Sequence, residues 1–378
     1  GCNFESWIDP RSGEHLCPED VNLYHFSYNL LCPATVQAIS LSHVSSTSSL
    51  QNGTAIVQLT SDTHDAYPVA EGLVEEIFDK GVTVSLEKGR FVAGLPLKVV
   101  PGPGVHRSCG TFKEVKSINA CSYKELISGE PLLPTWFCSH WWGESILDFI
   151  KCCEKHCRLR HLKPNAGYWI CAYANCQHEL ANEIGQDPGN SSFRKAMCAA
   201  TGVLLILDKL ASPFSRIWCD FELYCTITDN KPLDTITMHE GSAQLLSDQT
   251  VLLPHESMLA KTEREEDFPI SLITEALRVN LEEGSASNEQ DRIQILHIIA
   301  NQAGGDLTSN LERANSRLRG VFARAVWPQA VRRGCVEVFG PNTLSLPDVL
   351  SQDRFRQRLC MSLAHFSEVT DDEIRNLA

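Results

Sequence analysis

Residues 202–208, Gly-Val-Leu-Leu-Ile-Leu-Asp, are followed by residues 215–223, Ser-Arg-Ile-Trp-Cys-Asp-Phe-Glu-Leu. The first stretch has the length and continuous apolar character of a strand buried on both faces, as in a parallel sheet. The second predicts a helix in which Trp218 and Glu222, four residues apart, share one face. A carboxylate beside an aromatic ring, just past a parallel strand, lies where open α/β sheets bind ligands. The alternative is a helix that buries a tryptophan and leaves a glutamate in water.

Other short apolar runs alternate with helical patterns on both sides of this stretch. Apolar residues recur with helical spacing from Ile146 to Cys157. Strands that alternate with helices predict a parallel sheet with right-handed crossovers. We therefore expect one parallel sheet to contain, as neighbours, the strands at 135–138, 168–172, 203–207 and 235–238.

The pattern changes before and after this central α/β region, which we place at 119–250. Residues 1–40 form a lead-in with little periodicity. Residues 41–118 predict a small α/β insertion, in which Ala70, Leu73, Val74, Ile77 and Phe78 have helical spacing. The fold class expected for the chain is therefore α/β, with a parallel sheet and an N-terminal α/β insertion.

The C-terminal third predicts first helices and then a repeat. Residues 251–335 form a helical extension, in which apolar residues recur with helical spacing. In residues 336–378, Leu359, Met361 and Leu363 alternate as in a strand, and a short helical pattern follows. A strand and a helix within about 25 residues form the unit of a leucine-rich repeat. We interpret 336–378 as the start of such an array.

Composition excludes several classes of protein. The net charge of -14 argues against a binder of nucleic acid or anionic membranes, since both require a basic surface. No apolar run reaches about 18 residues, so no transmembrane helix is expected. Many of the 16 cysteines lie in apolar runs, which is typical of free thiols and favours a cytoplasmic protein. We expect Cys138, Cys171 and Cys219 to be buried and unpaired. The chain begins with Gly1 rather than Met, which leaves a preceding leader open.

Two other kinds of chemistry have weaker support. Cys153, His156 and Cys157 share one helix face, as zinc ligands would. However, no second cysteine pair follows at zinc-finger spacing, and both cysteines continue an apolar stripe, so we expect no metal. Cys171 and Cys176 with His178 allow a Cys–His nucleophile, but nothing in the sequence selects one cysteine.

Three ordered stretches, at 136–144, 168–178 and 214–223, carry a resemblance to a known family. The first contains Ser-His-Trp-Trp-Gly at 139–143, and the second contains Asn-Cys-Gln-His at 175–178. The third contains the Arg-x-Trp-Cys-x-x-Glu motif that ends at Glu222. Together they resemble the TIR-like domains of large multidomain proteins of protists and algae, which repeats often follow. The resemblance covers roughly 130–330 and implies a flavodoxin-like parallel sheet.

The resemblance also implies an activity. In enzymatic TIR domains, the glutamate that ends a Trp-x-x-x-Glu helix is the catalytic residue of NAD cleavage, which makes Glu222 the candidate here. Breaking the nicotinamide–ribose bond develops an oxocarbenium-like ribose, which a nearby carboxylate stabilises. NAD would be the substrate, and no cofactor is expected. The implied substrate-binding residues are Ser139, His140, Gly143, Trp218 and Asn175.

The sequence keeps a second function open. Many TIR second strands end in an aspartate where this chain has Cys171, and a fold does not determine a function. Repeats are binding surfaces, so the chain could instead be a signalling scaffold that associates with itself or with protein partners. The two functions are compatible, with assembly switching on catalysis.

Overall fold

The structure is a computed structural model that describes residues 4–63, 65–102, 105–180, 187–247, 252–301 and 306–338. The chain is mixed α/β and divides into two compact units, each built from discontinuous segments. The first unit comprises Gly1–Leu132, Trp142–Leu147 and Ile170–Gly185, and the second comprises Leu133–Trp141, Asp148–Trp169 and Gln186–Ala378.

The first unit is built on an antiparallel sheet of seven strands. They are β1 (Ala38–Ser42), β2 (Ala55–Leu59), β3 (Pro68–Phe78), β4 (Gly81–Gly89), β5 (Leu97–Gly102), β6 (Val105–Gly110) and β7 (Glu114–Ile118). Their spatial order is β6-β5-β2-β3-β4-β1-β7, and all neighbouring pairs are antiparallel. A buried apolar cluster that includes Leu41, Val84, Leu97 and Phe112 packs in this unit.

The predicted α/β character of 41–118 is wrong, because the described residues of this segment form strands and no helix. The helical spacing from Ala70 to Phe78 belongs to β3. Ala70, Gly72 and Val74 are its buried positions, which is the period of a strand. A Cβ at Gly72 would lie 2.5 Å from the Ser85 carbonyl oxygen. This close approach requires a glycine. Because Gly72 has no apolar side chain, the alternation of apolar residues that is typical of a strand is not visible in the sequence.

The second unit contains a five-stranded sheet. Its strands are β8 (Pro134–His140), β9 (Gly167–Trp169), β10 (Gly202–Leu207), β11 (Leu233–His239) and β12 (Ser242–Ser247). The spatial order is β12-β11-β10-β8-β9. Strands β9, β8, β10 and β11 are parallel, which confirms the four predicted neighbours.

Two details of this sheet differ from the prediction. Strand β9 ends at Trp169, and Cys171 begins a short helix, so the strand predicted at 168–172 is too long. Strand β12 pairs antiparallel with β11 after a tight turn at Glu240 and Gly241, both of which have positive φ. Residues 242–247 include three polar side chains. The segment is therefore not a continuous apolar run, and its sequence did not predict a strand.

The helices are, in chain order, α1 (Leu23–Phe26), α2 (Cys32–Ala34), α3 (Tyr123–Ile127), α4 (Ile146–Leu159), α5 (Cys171–Ala174), α6 (Ser192–Ala199), α7 (Ile217–Thr228), α8 (Met258–Glu265), α9 (Ile270–Ala276), α10 (Glu289–Asn301) and α11 (Leu307–Val338). Helices α8 to α11 lie in the segment predicted as a helical extension, 251–335, and α11 continues to Val338. The predicted repeat strand with Leu359, Met361 and Leu363 lies outside the described residues. Within the described residues, no helix combines the length and apolar character needed to cross a bilayer.

Thirteen cysteines whose side chains the structure describes form no disulfide. Cys138 and Cys219 are buried, as predicted, whereas Cys171 is only partly buried. Their apolar neighbours explain the burial, because a free cysteine packs as a small hydrophobic residue.

Candidate functional site

The carboxyl end of β8 supplies the first part of the site. Residues 136–140 are all buried, because β8 lies between β9 and β10. Ser139 lies opposite Leu205 of β10 and is fully inaccessible to solvent. His140, the last residue of the strand, packs its ring against Phe149 of α4 with 4.8 Å between the ring centroids.

The connection from β10 fixes the start of α7. The Asp208 carboxylate accepts hydrogen bonds from the backbone N–H (2.6 Å) and the hydroxyl (2.9 Å) of Ser212. Ala211 adopts the left-handed conformation at φ 54°, which turns the chain. At Ile217 the helix begins, and its N–H donates to the Ser285 carbonyl at 3.0 Å. Both ends of this loop are therefore held by hydrogen bonds.

Glu222 of α7 meets Ser139 of β8 directly. The Ser139 hydroxyl donates to Glu222 Oε2 at 2.5 Å. Glu222 is only 5% exposed, and burial raises its pKa to about 8, although the Ser139 hydrogen bond acts in the opposite direction. At neutral pH this carboxyl group is therefore mostly protonated.

Asp220 is a second buried acid on the same helix, and its position in the sequence predicted no role for it. It is fully inaccessible, and neither carboxylate oxygen has a hydrogen-bond partner among the described residues. A Cβ at Gly284 would lie 3.2 Å from Asp220 Oδ2, so the glycine makes room for the carboxyl group. Burial, and then the nearby Glu222, raise the pKa of Asp220 well above its usual value.

Cys219 shares this environment but is not an activated nucleophile. Its thiol donates to the His140 carbonyl at 3.6 Å. Burial, followed by the charges of Glu222 and Asp220, raises its pKa well above the usual value. A nucleophilic cysteine requires a lowered pKa, so the thiol acts as a packed, neutral group.

Trp218 lies one turn before Glu222, as predicted, and is partly buried. Its ring stacks on Phe193 with 5.1 Å between centroids. The indole N–H donates to Asp291 Oδ2 at 3.2 Å. These contacts fix the orientation of the indole by linking α7 to α6 and α10.

The remaining predicted residues, Gly143 and Asn175, belong to the first unit. Gly143 lies in a turn after β8. Asn175 is 2% exposed, and its side-chain Nδ2 has no hydrogen-bond partner among the described residues. The substrate-binding roles of both residues stay predictions.

His156, considered above as a zinc ligand, has both ring nitrogens engaged by other groups. Nε2 lies 2.8 Å from Asp234 Oδ2, and Nδ1 lies 2.7 Å from the Tyr168 hydroxyl. Within the described part of the chain, no three His, Cys, Asp or Glu side chains are grouped to hold a metal ion. His156 is therefore a hydrogen-bonding residue of the core.

The pair of Ser139 and Glu222 sets what this arrangement can do chemically. A carboxyl group that ionises near pH 8 can hold or accept a proton at neutral pH. Once ionised, it can stabilise a developing positive charge, because low-dielectric surroundings strengthen that interaction. The Ser139 hydroxyl orients Oε2 and stabilises the ionised form.

Comparison of the chain with protein families, with curated proteins and with solved structures gives no match. The functional interpretation therefore rests on the three sequence motifs and on the geometry of Ser139 and Glu222.

Proposed function

We propose that this protein is a TIR-like hydrolase that cleaves the nicotinamide–ribose bond of NAD, with Glu222 as the catalytic carboxylate. The observation that carries the proposal is the hydrogen bond between Ser139 and Glu222 at the carboxyl edge of a parallel sheet. The two residues are 83 positions apart in the chain, and they come from two of the three motifs that suggested the family.

The topology of the second unit supports a flavodoxin-like assignment. In chain order, the strands have the spatial sequence 2-1-3-4-5, which is the flavodoxin-like order. The chain reverses direction across the sheet between β8 and β10, and open α/β sheets bind ligands at such a point. Ser139 comes from β8, and Glu222 comes from the helix after β10. The departure is the fifth strand, which is antiparallel.

The proposed reaction uses the charge of Glu222. The electrons of the broken bond leave with nicotinamide, and the ribose becomes oxocarbenium-like until water adds and a proton is released. An ionised Glu222 stabilises this cation. Its pKa of about 8 means that a minority is ionised at neutral pH. The positive nicotinamide ring of bound NAD would lower that pKa, since an opposite charge favours the ionised form.

Access to the carboxylate requires movement. Ser139 is fully inaccessible and Glu222 is 5% exposed, so NAD can reach them only after surrounding side chains open. We therefore expect low activity in the isolated closed state and higher activity when assembly or a partner opens the site.

The test is to incubate the full chain with NAD, over a range of protein concentrations, and measure free nicotinamide. Glu222→Gln keeps size and hydrogen bonding but removes the charge, so we expect release to fall by about 10²-fold or more. Asp220→Asn is the matched control, because it neutralises another buried acid on the same helix without touching Ser139. We expect the control to stay within about twofold of wild type.

Two results would overturn the catalytic proposal. One is equal nicotinamide release from wild type and Glu222→Gln. The other is wild-type protein that binds NAD but releases no nicotinamide at any concentration, including when assembled. Circular dichroism of each variant shows whether its fold is intact, which separates lost chemistry from lost structure.

The second candidate function is a non-enzymatic interaction module. The burial of Glu222 favours it, since a carboxyl group closed off from solvent and held by Ser139 also fits a structural role. Concentration-dependent self-association without nicotinamide release would support this function.

A further inference from the structure

The first unit contains a cavity of about 450 Å³ that the proposed activity does not use. It is lined by β1, β7, residues 90–93 that follow β4, and residues 178–180. Pockets that bind small organic molecules have volumes of roughly 300–1,000 Å³. The cavity is therefore large enough for one small ligand.

The charged side chains of the lining are not paired with one another. Arg90 donates one hydrogen bond, from Nη1 to the Gln177 carbonyl at 2.8 Å. Neither Arg90 nor Lys116 forms an ion pair within the described residues. Among the described residues of the lining, Glu179 is the only acid, so these residues carry two cations against one carboxylate, a net charge of +1. A local positive charge stands out in a chain of net charge -14.

His178 adds a neutral polar group to the lining. Its Nε2 lies 2.8 Å from the Cys32 carbonyl, and since a carbonyl can only accept, Nε2 carries the proton. Burial lowers the pKa of His178, which keeps the ring neutral at pH 7. Nδ1 is then an acceptor with no hydrogen-bond partner among the described residues.

Apart from Ser117, the other described side chains of the lining are apolar, and they include Ile39 of β1, Val115 of β7 and the buried ring of Phe91. Apolar walls with a few polar groups are typical of sites that bury most of a small ligand. A ligand that matches both features has an apolar body and one negative charge.

We propose that this cavity binds a small monoanionic organic acid, with its apolar body against Phe91 and its negative group between Arg90 and Lys116. A carboxylate, a sulfonate and a phosphate diester share this chemistry. The inference is independent of NAD cleavage, since its residues all belong to the first unit.

The test uses two fluorescent probes with the full chain: anilinonaphthalene sulfonate, which is monoanionic, and N-phenylnaphthylamine, its uncharged analogue. Lys116→Gln removes one cation of the lining. Lys113→Gln is the matched control, because Lys113 is exposed, lies three residues away and does not line the cavity. We expect Lys116→Gln to weaken binding of the anionic probe by about tenfold, and Lys113→Gln to leave it unchanged.

A third variant tests the location. Ala93→Trp places a large ring in the lining, so it should abolish binding of both probes. Because Ala93 is exposed in a loop, the fold should tolerate the change. Equal weakening by both lysine variants, or equal affinity for the charged and uncharged probes, would overturn the proposal. Retained binding in Ala93→Trp would place the probe elsewhere and would also overturn it.

Discussion

The second unit buries acids at opposite edges of one sheet and treats them differently. Near the amino end of β11, Asp234 is fully inaccessible but accepts hydrogen bonds from His156 (2.8 Å) and from Arg160 Nε (2.7 Å) and Nη2 (2.5 Å). At the carboxyl edge, Glu222 has the Ser139 hydroxyl, and Asp220 has no partner among the described residues. Burial raises the pKa of every one of these acids, yet the donors around Asp234 reverse its shift and lower its pKa.

The difference shows that the hydrogen-bond donors and cations around a buried acid, and not its burial alone, decide whether its pKa is raised or lowered. A buried carboxylate that is fully hydrogen-bonded and paired stays ionised and belongs to the framework. A buried carboxyl group with too few donors keeps its proton at neutral pH and destabilises the fold whenever it ionises. Such groups concentrate at functional sites, which favours the carboxyl edge as the site.

The largest expected effect is a loss of stability when Asp234, the buried acid held by His156 and Arg160, loses its charge. Asp234→Asn removes the charge that balances Arg160 inside the core. We expect the free energy of unfolding to fall by about 3–5 kcal/mol, measured by chemical denaturation. The control is Asp229→Asn, which breaks the more exposed pair with Arg194 and should cost about 1 kcal/mol or less. Equal losses of unfolding free energy in the two variants would show that the Asp234 network contributes no more to stability than a more exposed ion pair.

The raised pKa of Glu222 predicts that the free energy of unfolding falls as the pH rises, whereas the lowered pKa of Asp234 has the opposite effect. The folded pKa of Glu222, about 8, exceeds the ordinary value of 4.5. Its stabilising contribution is therefore complete below pH 4.5 and is lost as pH rises toward 8, with a slope of up to about 1.4 kcal/mol per pH unit. We expect Glu222→Gln to flatten the fall in unfolding free energy between pH 5 and 8. An unchanged slope would place the pKa of Glu222 near its ordinary value.

The smallest expected effect concerns the single hydrogen bond to Glu222. Ser139→Ala removes a donor that lowers the pKa of Glu222, so this pKa should rise by about one unit. Carboxyl titration followed by NMR with labelled glutamate would measure the shift. A downward shift would mean that water enters the space left by the hydroxyl and hydrates the carboxylate better than Ser139 did.

The sequence predicted the part of the candidate site that is built on buried parallel strands and the helix that follows them. Buried parallel strands are continuous apolar runs, so residues 203–207 and 135–138 were identifiable. The carboxyl ends of parallel strands share an edge, which predicted that Ser139 would lie near the helix that carries Glu222. The two residues are in direct contact.

The parts that the sequence did not predict depend on distant pairings or on glycine. Asp234 binds His156 and Arg160 from 78 and 74 positions away, and neither spacing leaves a local pattern. The cavity beside Arg90 depends on His178, 88 positions later. Because Gly72 has no apolar side chain, the alternation of apolar residues along β3 was not visible in the sequence. For Asp220, the available signal was a charged residue between Cys219 and Phe221, in a helix of mostly apolar residues.

Helix α7 has a consequence for how this protein can evolve. Nine of its twelve residues are buried, so substitutions are restricted on every face, unlike those in an amphipathic surface helix. Purifying selection on volume alone is sufficient to keep residues 217–226 similar among descendants of a common ancestor. In a deep mutational scan, abundance should therefore fall for substitutions along almost the whole helix. A catalytic role would appear at Glu222 as glutamine retaining abundance while activity is lost.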